Sequence, residues 1–299
     1  MPEKQWNTIR DRVLQKVLNI AEDEVLNDNN GFLTIPFQAE NCALSLQKVM
    51  YALLSEERIS PSGMVDYQAI REDRAFQFKF IPLTQQFRFF DPNTLITRQE
   101  QIAFWINLYN ALVLHAVLQQ NIQDSVNEGK WRSSAFFQRS AYHLNQLRIT
   151  ADDIEHGILR GNQGHPLVPG KQFAPEDPRH AWVIFPMDPR IHFALHSASK
   201  SSPLLRIYQS ENIDFQLTQA VNDFLGQHTQ IDRVEYTLLL PNLVKWAQKD
   251  LGGPDKILEL LMQAIPDEAP YLRQHFERWK IKYGPYDWAL NQSKPDTLA

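Results

Sequence analysis

Cysteine is almost absent from this chain of 299 residues, which contains a single one, Cys42. One thiol cannot build an intramolecular disulfide framework or supply a four-cysteine zinc site. The first residues, Met-Pro-Glu-Lys-Gln-Trp, lack the apolar core of a signal peptide, and no run approaches the ~18 apolar residues that a membrane span needs. We therefore expect a soluble, cytoplasmic protein without a membrane partner.

A surplus of positive charge is also missing. The chain has 30 Lys and Arg against 35 Asp and Glu, which gives a formal net charge of −5. This balance argues against a nucleic-acid partner bound across the whole surface. What the chain does have is 43% hydrophobic residues, enough at this length to bury a substantial core in one or two domains.

Helical patterning dominates the chain, and strand patterning is confined to short segments. Helices are predicted over residues 5–27, 43–57, 67–88, 100–120, 211–227, 241–250, 254–264 and 267–278. Strands are predicted over residues 144–149, 181–185, 190–196, 234–240 and 279–283. These elements predict a mainly helical α+β fold, with a long buried central helix and a small, mostly antiparallel sheet.

Loop signals divide the chain into parts. The turn Ser60-Pro-Ser-Gly63 follows two N-terminal helices, so we predict a helical extension over residues 1–60. The main domain is predicted over residues 61–291 and a C-terminal tail over 292–299. A long loop is predicted between Gly161 and Arg190, which hold six of the 18 prolines between them, and such loops are often functional.

The predicted central helix contains two asparagines among apolar residues. A capping box at Thr97 and Glu100 opens this helix, and nearly every residue from Ala103 to Leu118 is apolar or aromatic. Buried amides must be hydrogen-bonded, so Asn107 and Asn110 each need a specific partner. They either hold irregular backbone in place or contact a ligand.

A short helix between Thr150 and Gly161 carries charged residues on one face. Thr150 can cap its N-terminus, and Asp153, His156 and Arg160 follow at positions i, i+3 and i+7. A carboxylate beside an imidazole can orient it and raise its basicity, as a general base requires. The same three residues could equally form a structural ion-pair ladder.

The segment from Arg190 to Arg206 is the most informative in the chain. Its first half alternates apolar residues with His192 and His196, which predicts a strand with both imidazoles on one face. Its second half is a hydroxyl-rich turn. Within this segment we take His192, Ser197 and Ser202 as candidate catalytic residues together with His156, and we take as candidate binding residues Lys200, Ser201 and Arg206.

Two motif-based interpretations of this segment are weak. Ser197-Ala-Ser-Lys200 matches the S-x-x-K nucleophile motif, but Pro203 interrupts the long helix that this motif needs, and no Lys-Thr-Gly or Lys-Ser-Gly follows. A metal site that joins His192 and His196 to His156 or His165 is geometrically possible. However, there is no H-E-x-x-H motif, so we expect neither a metal ion nor another cofactor.

Four separated segments resemble one known family, the domain of unknown function 547. The four segments are Ala103–Leu112, Asp152–Arg160, His192–Arg206 and Tyr286–Asn291. Their order and spacing fit the family as well as their residues do, and the resemblance covers roughly Val65 to Asn291. It implies a shared fold and a set of candidate residues, but no assigned reaction.

The chain departs from that family at one important place. The family pattern reads His-Phe-Ala-Leu-x-Cys-Gly-Ala-x-Ser-Cys-Pro, and here Ser197 and Ser202 occupy the positions of its two cysteines. Gly-Ala is replaced by Ala198-Ser199. A thiol forms a nucleophilic thiolate easily, whereas serine needs a base to take its proton, so thiol chemistry is lost at both positions.

Two functions remain open at this point. The favoured one is a non-catalytic binding or scaffold domain that keeps a hydrolase-like polar pocket, with a protein or a small anionic ligand near Lys200 and Arg206 as its partner. The alternative is a papain-like or transglutaminase-like hydrolase or acyltransferase that uses serine in place of the family cysteine. Its nucleophile would be Ser202 or Ser197, its base His192 or His156, and its orienting residue Asn107 or Asp153.

Overall fold

A computed structural model describes residues 9–21, 23–28, 42–55, 57–128, 132–166 and 168–293. In this part of the chain the α-helices are α1 (Ile9–Leu18), α2 (Cys42–Leu53), α3 (Tyr67–Glu72), α4 (Ile81–Gln86), α5 (Arg98–Gln119), α6 (Arg132–Arg139), α7 (Ile213–His228), α8 (Asn242–Ala247), α9 (Pro254–Ala264) and α10 (Ala269–Gln274). The strands are β1 (Ala141–Leu144), β2 (Leu147–Thr150), β3 (Gln230–Asp232), β4 (Thr237–Leu240) and β5 (Lys280–Tyr283).

Helix α5 is the central element, and its capping box forms as predicted. The Thr97 side chain accepts from the Glu100 amide while the Glu100 carboxylate accepts from the Thr97 amide. Every residue from Ile102 to Leu118 is buried. By length and composition alone α5 is long and apolar enough to cross a membrane, but 94% of its most apolar stretch is buried inside the protein.

The fold class is the predicted mainly helical α+β class. One hydrophobic core surrounds α5 and includes residues from α2, α3 and the β1–β2 hairpin. A second cluster joins α7, α8 and α9 to the three-stranded sheet β3-β4-β5. In the two sheets, β1 pairs antiparallel with β2, β3 antiparallel with β4, and β4 parallel with β5.

The predicted strand over residues 144–149 is wrong, because its centre is the turn of a hairpin. Asn145 and Gln146 both have positive φ angles, 47° and 62°, and they connect β1 to β2. Two consecutive residues in this conformation form the tight turn that suits the twist of paired strands.

The strands predicted over residues 181–185 and 190–196 are also wrong. The structure has single turns of 3₁₀-helix there, Pro178–Trp182 and Pro189–Phe193. Each turn starts with Asp-Pro-Arg, in which the aspartate accepts from the backbone amide of the arginine and the proline occupies the first helical position. This local capping starts a helical turn at Asp188 and overrides the alternating pattern that follows it.

The two longest departures from the predicted helices are at residues 5–27 and 67–88. The helix predicted over residues 5–27 ends at Leu18, and Asn19 follows with a φ of 54°. Its predicted beginning lies outside the described residues. The helix predicted over residues 67–88 is interrupted at Asp73, whose backbone is extended and whose side chain accepts from the Ala75 amide.

Candidate functional site

One cavity of about 440 Å³ collects residues from all four segments that the sequence analysis singled out. Segment 103–112 contributes Tyr109, and segment 286–291 contributes Tyr286 and Trp288. The remaining two segments contribute the polar residues Asp152, Glu155, His156, His192 and Ser197. Segments that are far apart in the chain therefore meet at one place, as expected of a functional site.

Aromatic rings form one part of the lining. The ring centroids of Tyr286 and Trp288 are 4.5 Å apart, and the Trp246 ring lies 4.7 Å from the first and 5.9 Å from the second. Trp246 is 49% exposed, so this aromatic cluster also reaches the protein surface. Aromatic rings of this kind offer apolar contact, and their faces carry the negative part of the ring quadrupole.

The polar part of the lining is acidic and rich in histidine. Asp152 is buried, accepts from Gln138 Nε2 at 2.6 Å, and lies with its Oδ1 atom 4.0 Å from His156 Nε2. Burial raises the pKa of Asp152 to about 6, although His165 and Gln138 oppose this shift. The rings of His156 and His165 meet edge to face, with centroids 4.8 Å apart.

His192 is held by a carboxylate that the sequence analysis did not identify. Its Nε2 atom lies 2.8 Å from Oδ2 of Asp250, which also accepts from Arg160 Nε at 2.7 Å. Burial acts to raise the pKa of Asp250, but hydrogen bonds from His192 and Arg160 outweigh it and lower the pKa to about 2. Because an ionised carboxylate only accepts, Nε2 of His192 carries a proton and donates it to Asp250.

Arg160 connects the two histidines of the cavity. Its Nη1 atom lies 3.0 Å from His156 Nδ1, and its Nε atom donates to Asp250. A guanidinium can only donate, so His156 Nδ1 accepts, and the proton of the neutral ring is on Nε2. Arg160 therefore fixes His156 directly and fixes His192 through Asp250.

The described hydrogen bonds do not join Asp153 to His156, so an orienting role for Asp153 stays a prediction. Asp153 instead accepts from Gln172 Nε2 at 2.8 Å and from Arg179 Nη1 at 3.1 Å. It also completes a reciprocal cap with Thr150, in which each side chain accepts from the other's backbone amide at 3.0 Å. The carboxylates beside His156 are those of Asp152, with Oδ1 4.0 Å from Nε2, and Glu155, with Oε1 3.7 Å from Nδ1.

Ser202 lies in a structural network outside the cavity. His196 Nδ1 lies 2.7 Å from the Pro203 carbonyl oxygen, so this nitrogen must carry the proton. Ser202 Oγ is 3.0 Å from the same nitrogen, which therefore cannot accept the serine proton. Burial lowers the pKa of His196 to about 4, and its Nε2 is 3.3 Å from Asn291 Nδ2.

Ser197 is the serine of the turn that lines the cavity. Its Oγ atom lies 3.0 Å from Ser199 Oγ and 2.9 Å from the Tyr286 hydroxyl. Ala198 between the two serines has a φ of 59°, a conformation that favours glycine. His156 and His192 therefore share the cavity with Ser197, while the base needed to activate Ser202 is missing from its described surroundings.

The remaining binding candidates lie on other surfaces. Arg206 is ion-paired with Asp223, Ser201 Oγ accepts from the Asp287 amide at 2.8 Å, and the Lys200 side chain is exposed. Lys200 and Arg206 line a separate pocket with only about 30 Å³ of internal space. An anionic partner at this place stays a prediction.

Asn107 and Asn110 hold irregular backbone, and neither lines the cavity. Asn107 donates to the Tyr208 carbonyl at 2.7 Å and accepts from the Tyr208 amide at 2.9 Å. Asn110 donates to the Ala194 carbonyl and accepts from the His196 amide. The two amides thus attach the irregular segment 194–208 to α5, which places Ser197 at the cavity.

Three residues of the cavity could also hold a metal ion. Asp152, His156 and His165 each offer one ligand atom, and these atoms all lie within 4.8 Å of one another. Two of the three residues are buried, and His165 is half-buried. From the sequence, His156 and His165 were expected to bind a metal only together with His192 and His196, and Asp152 was not among the expected ligands.

The comparisons with known proteins agree with the resemblance found in the sequence. The model of a family described as "Protein of unknown function, DUF547" matches residues 93–225. This range contains three of the four segments that line the cavity, and segment 286–291 lies beyond it. No curated protein and no solved structure matches the chain.

Proposed function

Because residues 93–225 belong to the DUF547 family, which has no assigned reaction, we propose a function from the cavity itself: the protein is a binding domain for a small cation. The observation that carries this proposal is the charge of the lining. The cavity is lined by two carboxylates and three imidazoles, and by no lysine or arginine among the described residues.

The carboxylates give the cavity a negative potential near neutral pH. Asp152 has a pKa raised to about 6 by burial, so it is mostly ionised at pH 7.5, and Glu155 lies beside it in the lining. The guanidinium of Arg160, which contacts His156, is ion-paired with Asp250. Charges in a partly closed, low-dielectric site attract an opposite charge more strongly than they do in water.

The aromatic cluster also favours a positively charged ligand. The rings of Trp246, Tyr286 and Trp288 lie within 6 Å of one another and line the same cavity as Asp152. A cation over an aromatic face is attracted by the ring quadrupole, which adds about 0.5–2 kcal/mol depending on desolvation. The cavity therefore combines the two features that proteins use to bind cations.

The test is a binding comparison between cations and anions. The indole fluorescence of Trp246 and Trp288 is followed at pH 7.5 while tetramethylammonium chloride, zinc chloride or sodium sulfate is added. At least one of the two cations should bind saturably, and Asp152→Asn should weaken its binding. Glu176→Gln, an exposed carboxylate outside the cavity, is the matched control. Binding of sulfate alone, or of none of the three, would refute the proposal.

A second candidate, a hydrolase, is favoured by the pair His192–Asp250. Asp250 orients His192 as the acid of a catalytic triad orients its histidine, and Ser197 lines the same cavity. However, Ser197 Oγ is hydrogen-bonded to Ser199 and Tyr286, and no described hydrogen bond joins it to a histidine. The binding function is therefore the better supported of the two.

Labelling with a fluorophosphonate probe separates the two candidates. A binding domain should not be labelled at Ser197 or Ser202, because neither hydroxyl is paired with a basic nitrogen. Stoichiometric labelling at Ser197 that is lost in His192→Gln would establish the hydrolase instead. The matched control is His180→Gln, an exposed histidine outside the cavity.

A further inference from the structure

We infer that Asp152, His156 and His165 form a binding site for a divalent transition-metal ion, with Zn²⁺ as the expected occupant. This inference rests on the proposed function, because it names the class of cation that the cavity binds. It goes beyond that function because it assigns three specific ligands to the ion. It also leaves the ion with an open coordination position that faces the cavity.

The set of donor atoms is the first argument. Two imidazole nitrogens and one carboxylate oxygen are a ligand set found in zinc sites that keep a fourth position open. Imidazole suits Zn²⁺, Cu²⁺ and Ni²⁺ better than Mg²⁺ or Ca²⁺, which prefer oxygen ligands. The donors of Asp152, His156 and His165 therefore favour a transition metal over the commoner hard cations.

The distances are close to those of a bound site. The three donor atoms lie within 4.8 Å of one another, and His156 Nε2 is 4.0 Å from Asp152 Oδ1. Around a tetrahedral zinc ion with bonds near 2.0–2.1 Å, neighbouring donors are about 3.3 Å apart. Closing the site needs inward movements of roughly 1 Å, a distance that rotation of the half-buried His165 side chain can supply.

His156 must present its Nε2 atom to the ion. Its Nδ1 atom faces the Arg160 guanidinium at 3.0 Å, where a second cation would be repelled. Coordination through Nε2 moves the ring proton to Nδ1, which then needs an acceptor in place of the donor Arg160. Glu155 Oε1 lies 3.7 Å from Nδ1 and can serve as this acceptor.

Asp152 is already supported as a ligand. Gln138 Nε2 donates to its Oδ2 atom at 2.6 Å, which leaves Oδ1 facing His156. Such an outer hydrogen bond fixes the orientation of a ligating carboxylate. All three ligands line the cavity, so the coordination positions that the protein does not fill are accessible from the cavity.

The experiment measures metal binding by the full chain after treatment with a chelator. Isothermal titration with zinc chloride should give one site, and cobalt(II) should give the visible absorption of a four- or five-coordinate ion. Zinc binding should weaken by more than about 100-fold in each of the variants Asp152→Asn, His156→Gln and His165→Gln. Loss of a residue that only hydrogen-bonds to a ligand typically weakens binding by about 10–100-fold. His180→Gln, an exposed histidine, is the matched control and should leave zinc binding unchanged.

Glu155→Gln tests the site without removing a ligand. Because an amide accepts the Nδ1 proton of His156 less strongly than a carboxylate, zinc binding should weaken by about 10–100-fold while the cobalt spectrum keeps its form. Near-ultraviolet circular dichroism verifies that each variant is folded. If folded ligand variants bind zinc as tightly as wild type, or if wild type binds no zinc, the inference is overturned.

The outcomes also separate this inference from the proposed function. Binding of tetramethylammonium that depends on Asp152, without any binding of zinc, would leave a cation-binding cavity and remove the metal site. Failure of both cations would remove both proposals. Zinc binding that survives all three ligand substitutions would place the ion elsewhere and contradict the assignment of these residues.

Discussion

At the scale of single residues, Asn110 shows how a buried polar side chain specifies a fold. Its amide nitrogen donates to the carbonyls of Ala194 and Arg206 at 3.2 and 3.4 Å, and its oxygen accepts from the His196 amide at 2.9 Å. The side chain is fully buried. It thus satisfies three backbone groups of a segment that has no strand partner to satisfy them.

Replacement of Asn110 by leucine should destabilise the protein strongly. Leucine fills a similar volume but leaves the three backbone groups without partners in a dry interior, where one unsatisfied group alone costs about 1–3 kcal/mol. We expect a loss of about 3 kcal/mol or more in the free energy of unfolding, measured by urea denaturation. Gln119→Leu, at the exposed end of the same helix, is the control and should change stability by less than about 0.5 kcal/mol. Equal stability of the two variants would contradict the structural role of Asn110.

Only those residues of the site that stand in a recognisable local pattern could be identified from the sequence. His156, His192 and Ser197 stand in segments with recognisable composition, and all three line the cavity. Asp250 could not be found in this way, because it is 58 residues from His192 and carries no local motif. Asp152 was passed over because the prediction paired His156 with Asp153, three residues before it, although the residue four before it is equally a neighbour on a helix.

At the scale of elements, the π-helix Asp153–Leu159 depends on a glycine within it. A Cβ atom on Gly157 would lie 2.4 Å from Phe173 Cε2 and 3.0 Å from Gln172 Cγ. Phe173 is buried, and Gln172 donates to Asp153. The absence of a side chain at Gly157 therefore lets the Pro-rich loop pack against the helix that carries Asp152 and His156.

Gly157→Ala should destabilise the protein although alanine is the better helix former. The new methyl group must displace a buried ring, and overpacking of this kind costs about 1–3 kcal/mol. Gly226→Ala on α7 is the matched control, because its Cβ would meet the Ala264 carbonyl oxygen at an ordinary 3.5 Å. This control should gain about 0.5–1 kcal/mol. Thermal melts of the two variants should therefore shift in opposite directions, and a stabilised Gly157→Ala would contradict the close packing.

Elements were predictable where the local signals agree with one another. The predicted helix over residues 254–264 has the bounds of α9, Pro254–Ala264, because Gly253 and Pro254 mark its start and its apolar face is regular. The segment 190–196 failed because two local signals conflict. The apolar alternation indicates a strand, but Asp188 and Pro189 start a 3₁₀ turn, and this turn is what the structure contains.

At the scale of the whole molecule, α2, which lies within the predicted N-terminal extension, packs into the central core. Cys42, Leu46 and Met50 of α2 belong to the same hydrophobic cluster as α5. The domain boundaries at residues 60 and 291 stay a prediction, whereas the shared core is observed. Sequence periodicity can find the buried face of a helix, but it cannot tell which distant element covers that face.

Two neutral histidines buried in this core link its stability to pH. Burial lowers the pKa of His115 to about 3 and that of His196 to about 4. In the unfolded chain both rings titrate near 6.5, so below that pH the unfolded state binds more protons than the folded state. Stability should therefore be lost as the pH falls from about 6.5 towards 4, by up to about 1.4 kcal/mol per pH unit for each histidine. Asp152, whose pKa is raised to about 6, opposes part of this loss between pH 6 and 4.

Urea denaturation at pH 7.5, 6.0 and 5.0 measures how the free energy of unfolding changes with pH. It should rise with pH, because the two histidines outweigh the one carboxyl group. His115→Asn can keep a hydrogen bond to the Tyr142 hydroxyl, which lies 2.9 Å from His115 Nδ1, while removing the titrating ring. This variant should be less stable than wild type at pH 7.5, because it leaves a cavity, but it should lose less stability between pH 7.5 and 5.0. Asp152→Asn should steepen the loss between pH 6 and 5, since the opposing group is removed, and His180→Gln should leave the wild-type slope unchanged. A His115→Asn slope equal to that of wild type would mean that His115 does not stay neutral in the folded protein.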